Sequence, residues 1–137
     1  MKSTLQPGIS LTKRIAIDRD RTISFMGEEA RVYATPSMIR DVEHACRELI
    51  LQHADPGEDS VGMEVAVKHL AATLPGMTVE IDVRISAVEG RKVVFAVSVK
   101  DDLEPVCTGT HARFIVDIAK TAERRAAKLA RWEAGKK

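Results

Sequence analysis

Four histidines, two cysteines and a handful of carboxylates flanked by apolar residues are the groups in this sequence that could do chemistry. His69 shares a two-residue period with Met63, Val65 and Val67, so a strand there would turn its imidazole inward, toward a helix. An imidazole titrates near neutrality and makes a good general base, although the same placement also suits a hydrogen-bonded core histidine. Glu43 falls at the edge of a helical apolar arc, near Ile39 and Ile50 and away from Arg40 and Arg47. A half-buried carboxylate there could partner an imidazole, bind a water or attack a carbonyl, or it could simply pair with Arg47 at i+4. Thr35 begins the same helix, where free backbone N–H groups and the positive dipole end would polarise an oxygen, or where the hydroxyl would act as a cap. His111 is a rival base, but the residues on its strand face, Cys107, Gly109, Arg113 and Ile115, offer it no carboxylate. His44 and His53 fall on the exposed side or end of the helix.

Several chemistries find no material. Cys46 and Cys107 are the only cysteines; each lies in an apolar stretch, which predicts buried reduced thiols. The histidines are not clustered, so no metal site is expected, and there is no Gly-x-Ser-x-Gly elbow, P-loop or dinucleotide fingerprint. Lys and Arg number 21 against 20 Asp and Glu, and there are one Trp, one Tyr and three Phe, so neither nucleic acid nor an anionic membrane is an expected partner. Apolar runs are far too short to cross a bilayer and no signal-type stretch follows Met1, which predicts a cytoplasmic protein.

The elements that must hold these groups follow from period. With 137 residues, 45% of them hydrophobic, the chain can build one core, and a single domain over 1–137 is expected, its core spanning 9–118. Ile9 to Ile17 alternates as a strand and ends in the charged turn Asp18-Arg19-Asp20-Arg21; an irregular stretch follows. Met38, Ile39, Val42, Ala45, Cys46, Leu49 and Ile50 mark a helix from about Pro36 to His53, with Thr35 as a possible N-cap and Asp55-Pro56-Gly57 as its stop. Period two then rules: the His69 strand closes at Pro75-Gly76, a second runs from Met77 through Ile85 to a hairpin at Glu89-Gly90, and Arg91–Lys100 and Val106–Asp117 supply two more. The Ala-, Lys- and Arg-rich tail predicts a helix over 118–134, whose seven basic residues read as a solvated face or as contacts for a phosphate. Strand runs segregated from one long helix give an α+β plan: a five-stranded antiparallel sheet wrapped around a central helix, the hotdog plan. One helix cannot cover such a sheet, so a homodimer is expected, with pairing into a tetramer left open.

Five stretches, in order, resemble the fluoroacetyl-CoA thioesterase family over residues 32 to 118: Val32-Tyr33-Ala34-Thr35, Glu43-His44-Ala45-Cys46, Lys68-His69-Leu70-Ala71-Ala72-Thr73-Leu74-Pro75-Gly76, Val88-Glu89-Gly90-Arg91 and Gly109-Thr110-His111-Ala112-Arg113. The resemblance implies hydrolysis of a small acyl-CoA, with Thr35, Glu43 and His69 catalytic and Gly62, Met26 and Tyr33 binding the substrate. CoA is then part of the substrate, and no separate cofactor is implied. Where a fluoroacetate-selective member of that family carries a lid of phenylalanines, this chain offers Met26 and Glu29, which implies little preference for the fluorinated acyl group. A non-catalytic acyl-CoA-binding protein and a hotdog dehydratase are the alternatives that the same fold allows.

Overall fold

The computed structural model describes residues 1–136; Lys137, one of the tail's seven basic residues, lies outside them. The order is β1 (Ser10–Ala16), the two-residue strands β2 (Thr22–Ile23) and β3 (Val32–Tyr33), α1 (Thr35–Leu51), β4 (Glu58–His69), β5 (Thr78–Glu89), β6 (Lys92–Lys100), β7 (Pro105–Asp117) and α2 (Ile118–Ala134). The five long strands form one antiparallel sheet in the order β1-β5-β6-β7-β4. β2 and β3 pair separately, just ahead of α1.

α1 lies across the concave side of the sheet. Its stripe of Met38, Val42, Ala45, Cys46, Leu49 and Ile50 is buried to 2% exposure or less against Val79, Ile81, Val83 and Ile85 of β5 and Val93 and Phe95 of β6. This is the expected hotdog arrangement. Cys46 and Cys107 are buried and unpaired, and burial pushes the Cys46 thiol up to about 12. One charged group joins the buried helix face: the Asp41 carboxylate accepts from Tyr33 Oη at 2.5 Å and from Arg21 Nε at 3.1 Å, which fixes the start of α1 to β3.

Two local expectations change. The residue preceding α1 is Ala34, with no side-chain cap; Thr35 is the first helical residue, Pro36 follows it, and the hydroxyl is therefore free for other use. β4 does not keep one face throughout, because a bulge between Gly62 and Glu64 makes Met63 the extra residue. The inward face therefore runs Ser60, Gly62, then Val65, Val67 and His69. β4 is also an edge strand hydrogen-bonded to β7 alone, and Val61, Met63 and Val65 on it are 45%, 52% and 42% exposed. α2, begun by Asp117 accepting from Lys120 N at 3.0 Å, buries none of its residues. No helix is long and apolar enough to cross a membrane among the described residues.

Candidate active site

At the end of β4, His69 meets the first turn of α1: its Nδ1 lies 2.7 Å from Thr35 Oγ1. The Tyr33 ring stands edge-on to the imidazole, with centroids 6.4 Å apart. Nε2 is shielded from solvent and makes no well-formed hydrogen bond within the described residues. Burial lowers the proton affinity of the ring, an effect the Ala71 carbonyl opposes only in part, so His69 is held in its neutral, proton-accepting form at neutral pH. The pair opens on a largely apolar hollow of about 550 Å³ whose walls include Ile23, Phe25, Tyr33 and Ala71.

Glu43 is elsewhere. Its side chain projects from the middle of α1 over the other end of β4, where its Oε2 lies 3.6 Å from Arg113 Nη1; Arg47, the partner expected at i+4, binds Asp59 instead at 2.7 and 2.9 Å. Gly62 makes room for this approach: a Cβ at that position would lie 3.1 Å from Glu43 Oε2 and 3.4 Å from His111 Cε1. Glu43, Gly62 and His111 thus line a second, smaller hollow with Val65. The hydrogen bonds of His111 fix its tautomer. Arg113 Nη1 can only donate, so His111 Nε2 accepts from it at 3.2 Å, and Nδ1–H donates to the Glu64 carbonyl at 2.9 Å. With both ring nitrogens engaged, and with burial and Arg113 disfavouring its charged form, His111 has no lone pair to offer a substrate.

Within one chain the two hollows stay apart. Thr35 and Glu43 are separated by about 12 Å of helix rise, and Gly62 and His69 by about 20 Å along β4. Thr35, Tyr33 and His69 come together; Glu43 and Gly62 come together with His111 and Arg113; the two sets do not meet.

A family model described as fluoroacetyl-CoA-specific thioesterase matches residues 17–119. The chain belongs to that family. A curated relative, the fluoroacetyl-CoA thioesterase of Streptantibioticus cattleyicolor, is 31% identical over 127 residues, 88% of this chain and 91% of the relative. Among solved structures, a thioesterase superfamily member from Thermus thermophilus superposes with a TM-score of 0.86 at 30% identity, covering 93% of this chain and 96% of its own. A variant of the fluoroacetyl-CoA-specific thioesterase in complex with fluoroacetate and CoA gives 0.79 at 30% identity, covering 85% and 99%.

In this member of the thioesterase family, the chain before β3 brings Phe25 to the wall of the Thr35–His69 hollow, where it is 88% exposed. Met26, 74% exposed, does not line it, and Glu29 sits in the short 3-10 turn Glu28–Ala30. Phe25 stands next to the residue that the sequence singled out. Arg113 was also missed as a site residue, because nothing in the spacing of β7 signals that its guanidinium ends beside a helix residue seventy positions earlier.

Proposed function

We propose that this protein hydrolyses a small acyl-CoA thioester to the free acid and CoA at a site built from two copies of the chain. The observation that carries the reading is the Thr35–His69 pair, 2.7 Å apart at the mouth of an apolar hollow, with the imidazole held neutral by burial. The Ala71 carbonyl keeps the ring hydrogen on Nε2, which leaves the lone pair on Nδ1. A water held by Thr35 loses a proton to Nδ1 through the threonine hydroxyl, and its oxygen adds to the thioester carbonyl carbon. The C–S bond then breaks, and the proton on Nδ1 goes to the departing thiolate. The backbone N–H groups at the start of α1 face the developing oxyanion. Glu43 accepts the second hydrogen of the water and orients it, and Tyr33 and Gly62 shape the space for the acyl group.

That assignment requires Glu43 from a second copy. The free edge of β4 and its exposed Val61, Met63 and Val65 support an antiparallel pairing with the same strand of a partner. A two-fold axis between Val65 and Ala66 sets Gly62 of one copy opposite His69 of the other, and so joins the two hollows.

The experiment is release of free thiol from fluoroacetyl-, acetyl- and longer acyl-CoAs. Wild-type protein is expected to release thiol, with kcat lowered at least about a hundredfold in a folded His69→Gln variant. Phe25 and Met26 are too exposed to seal the hollow against water, and a fluorine-for-hydrogen difference in an open apolar site is worth only about 1–3 kcal/mol. Fluoroacetyl-CoA is therefore not expected to exceed acetyl-CoA in kcat/KM by as much as about a thousandfold. Tight acyl-CoA binding with no thiol released would instead establish a binding protein.

A further inference from the structure

The reading of Glu43 as the residue that orients the attacking water leaves open what holds its carboxylate in place, and this inference rests on that reading. Arg113 is 5% exposed, on the inner face of β7 directly opposite Gly62. An arginine buried this far needs every donor aimed. Nε donates to Ser60 Oγ at 2.8 Å, Nη2 to the Ser60 carbonyl at 2.9 Å, and Nη1 to His111 Nε2 at 3.2 Å, while that same Nη1 faces Glu43 Oε2 at 3.6 Å. The guanidinium is thus clamped by strand β4 on two nitrogens and by the neutral His111 on the third, and its charge has one carboxylate at its open side. The other charged groups around Glu43 do not compete. Arg47, on the same helix, is taken by Asp59 of β4, and Glu64 offers its backbone carbonyl to His111.

We propose that Arg113 is a positioning residue for thioester hydrolysis: braced by Ser60 and His111, it fixes the Glu43 carboxylate over Gly62 at the angle from which it holds the water. Arg113 itself touches no substrate. A planar fork suits this task better than a point charge, because it satisfies the brace and the carboxylate from one rigid plane.

Two predictions separate positioning from mere support of the fold. Arg113→Met lowers kcat for acetyl-CoA hydrolysis by about ten- to a hundredfold with KM changed less than about threefold, and Arg113→Lys regains at least part of the lost kcat by restoring a cation. In a Glu43→Gln background, Arg113→Met changes the residual rate by less than about twofold, because there is no longer a carboxylate to position. Equal losses in the two backgrounds, or full activity in folded Arg113→Met, would overturn the inference. If Arg113→Met does not fold, Ser60→Ala carries the same comparison: it removes one brace, and its loss of kcat must likewise vanish in Glu43→Gln. Should Glu43→Gln keep full activity, the role given to Glu43 fails, and that of Arg113 with it; an inactive Glu43→Gln with additive Arg113 losses overturns the role of Arg113 alone.

Discussion

Burial lowers the proton affinity of both inward-facing histidines, and the sign of that shift sets two pH dependences. His69 and His111 ordinarily titrate at 6.5, and in the folded protein both do so at lower pH. Between the folded values and 6.5 the unfolded chain binds more protons than the native one, so stability is greatest above 6.5 and falls as the pH drops through that window. Chemical denaturation at a series of pH values is expected to show this decline. His69→Gln and His111→Gln should each flatten it, provided the variant folds. For activity, the base must be unprotonated, so the acid limb of kcat/KM is expected to have its midpoint below 6.5; a midpoint above 6.5 would mean that His69 is not the base. His69 was legible in the sequence because period two placed it on a core-facing strand. The partner of Glu43 was not. The i+4 rule pointed to Arg47 within the helix, whereas Arg47 finds Asp59 on β4 and Glu43 finds Arg113 on β7, and pairings across elements leave no mark in local spacing.

At the scale of elements, the two strands that carry the site approach each other unusually closely. A Cβ on Gly109 of β7 would lie 2.2 Å from the Ala66 carbonyl oxygen and 2.7 Å from Val67 Cα, both backbone atoms that cannot step aside without opening the β4–β7 ladder. Gly109→Ala is therefore expected to destabilise the protein by at least about 2 kcal/mol and to disturb His69, two residues further along the same strand from Val67. Denaturant melts measure the first effect and thiol release the second; a variant of unchanged stability would show that the strands can separate freely. The long elements were readable because α1 and β5 keep their periods without interruption. The bulge at Met63 was not, because apolar residues on both sides of it preserve the appearance of alternation while the backbone shifts by one. Thr35 entered the helix rather than capping it, and the released hydroxyl is what reaches His69.

At the scale of the whole molecule, each chain offers two half-sites and one uncovered strand edge. The sequence reached the need for a partner through the imbalance between one helix and five strands, but it could not show that the division would run between Thr35 with His69 and Glu43 with Gly62. That division makes the account testable with inactive parts. Glu43→Ala and His69→Ala proteins, each nearly inactive alone, are mixed, unfolded and refolded together, and the heterodimers are isolated by two different affinity tags. Thiol release from acetyl-CoA is then measured on the isolated heterodimer. If Glu43 and His69 act across the interface, one of the two sites in each heterodimer regains both groups, and the rate is predicted to return to about half that of the wild-type dimer. A verified heterodimer with no more activity than its inactive parents would contradict the composite site.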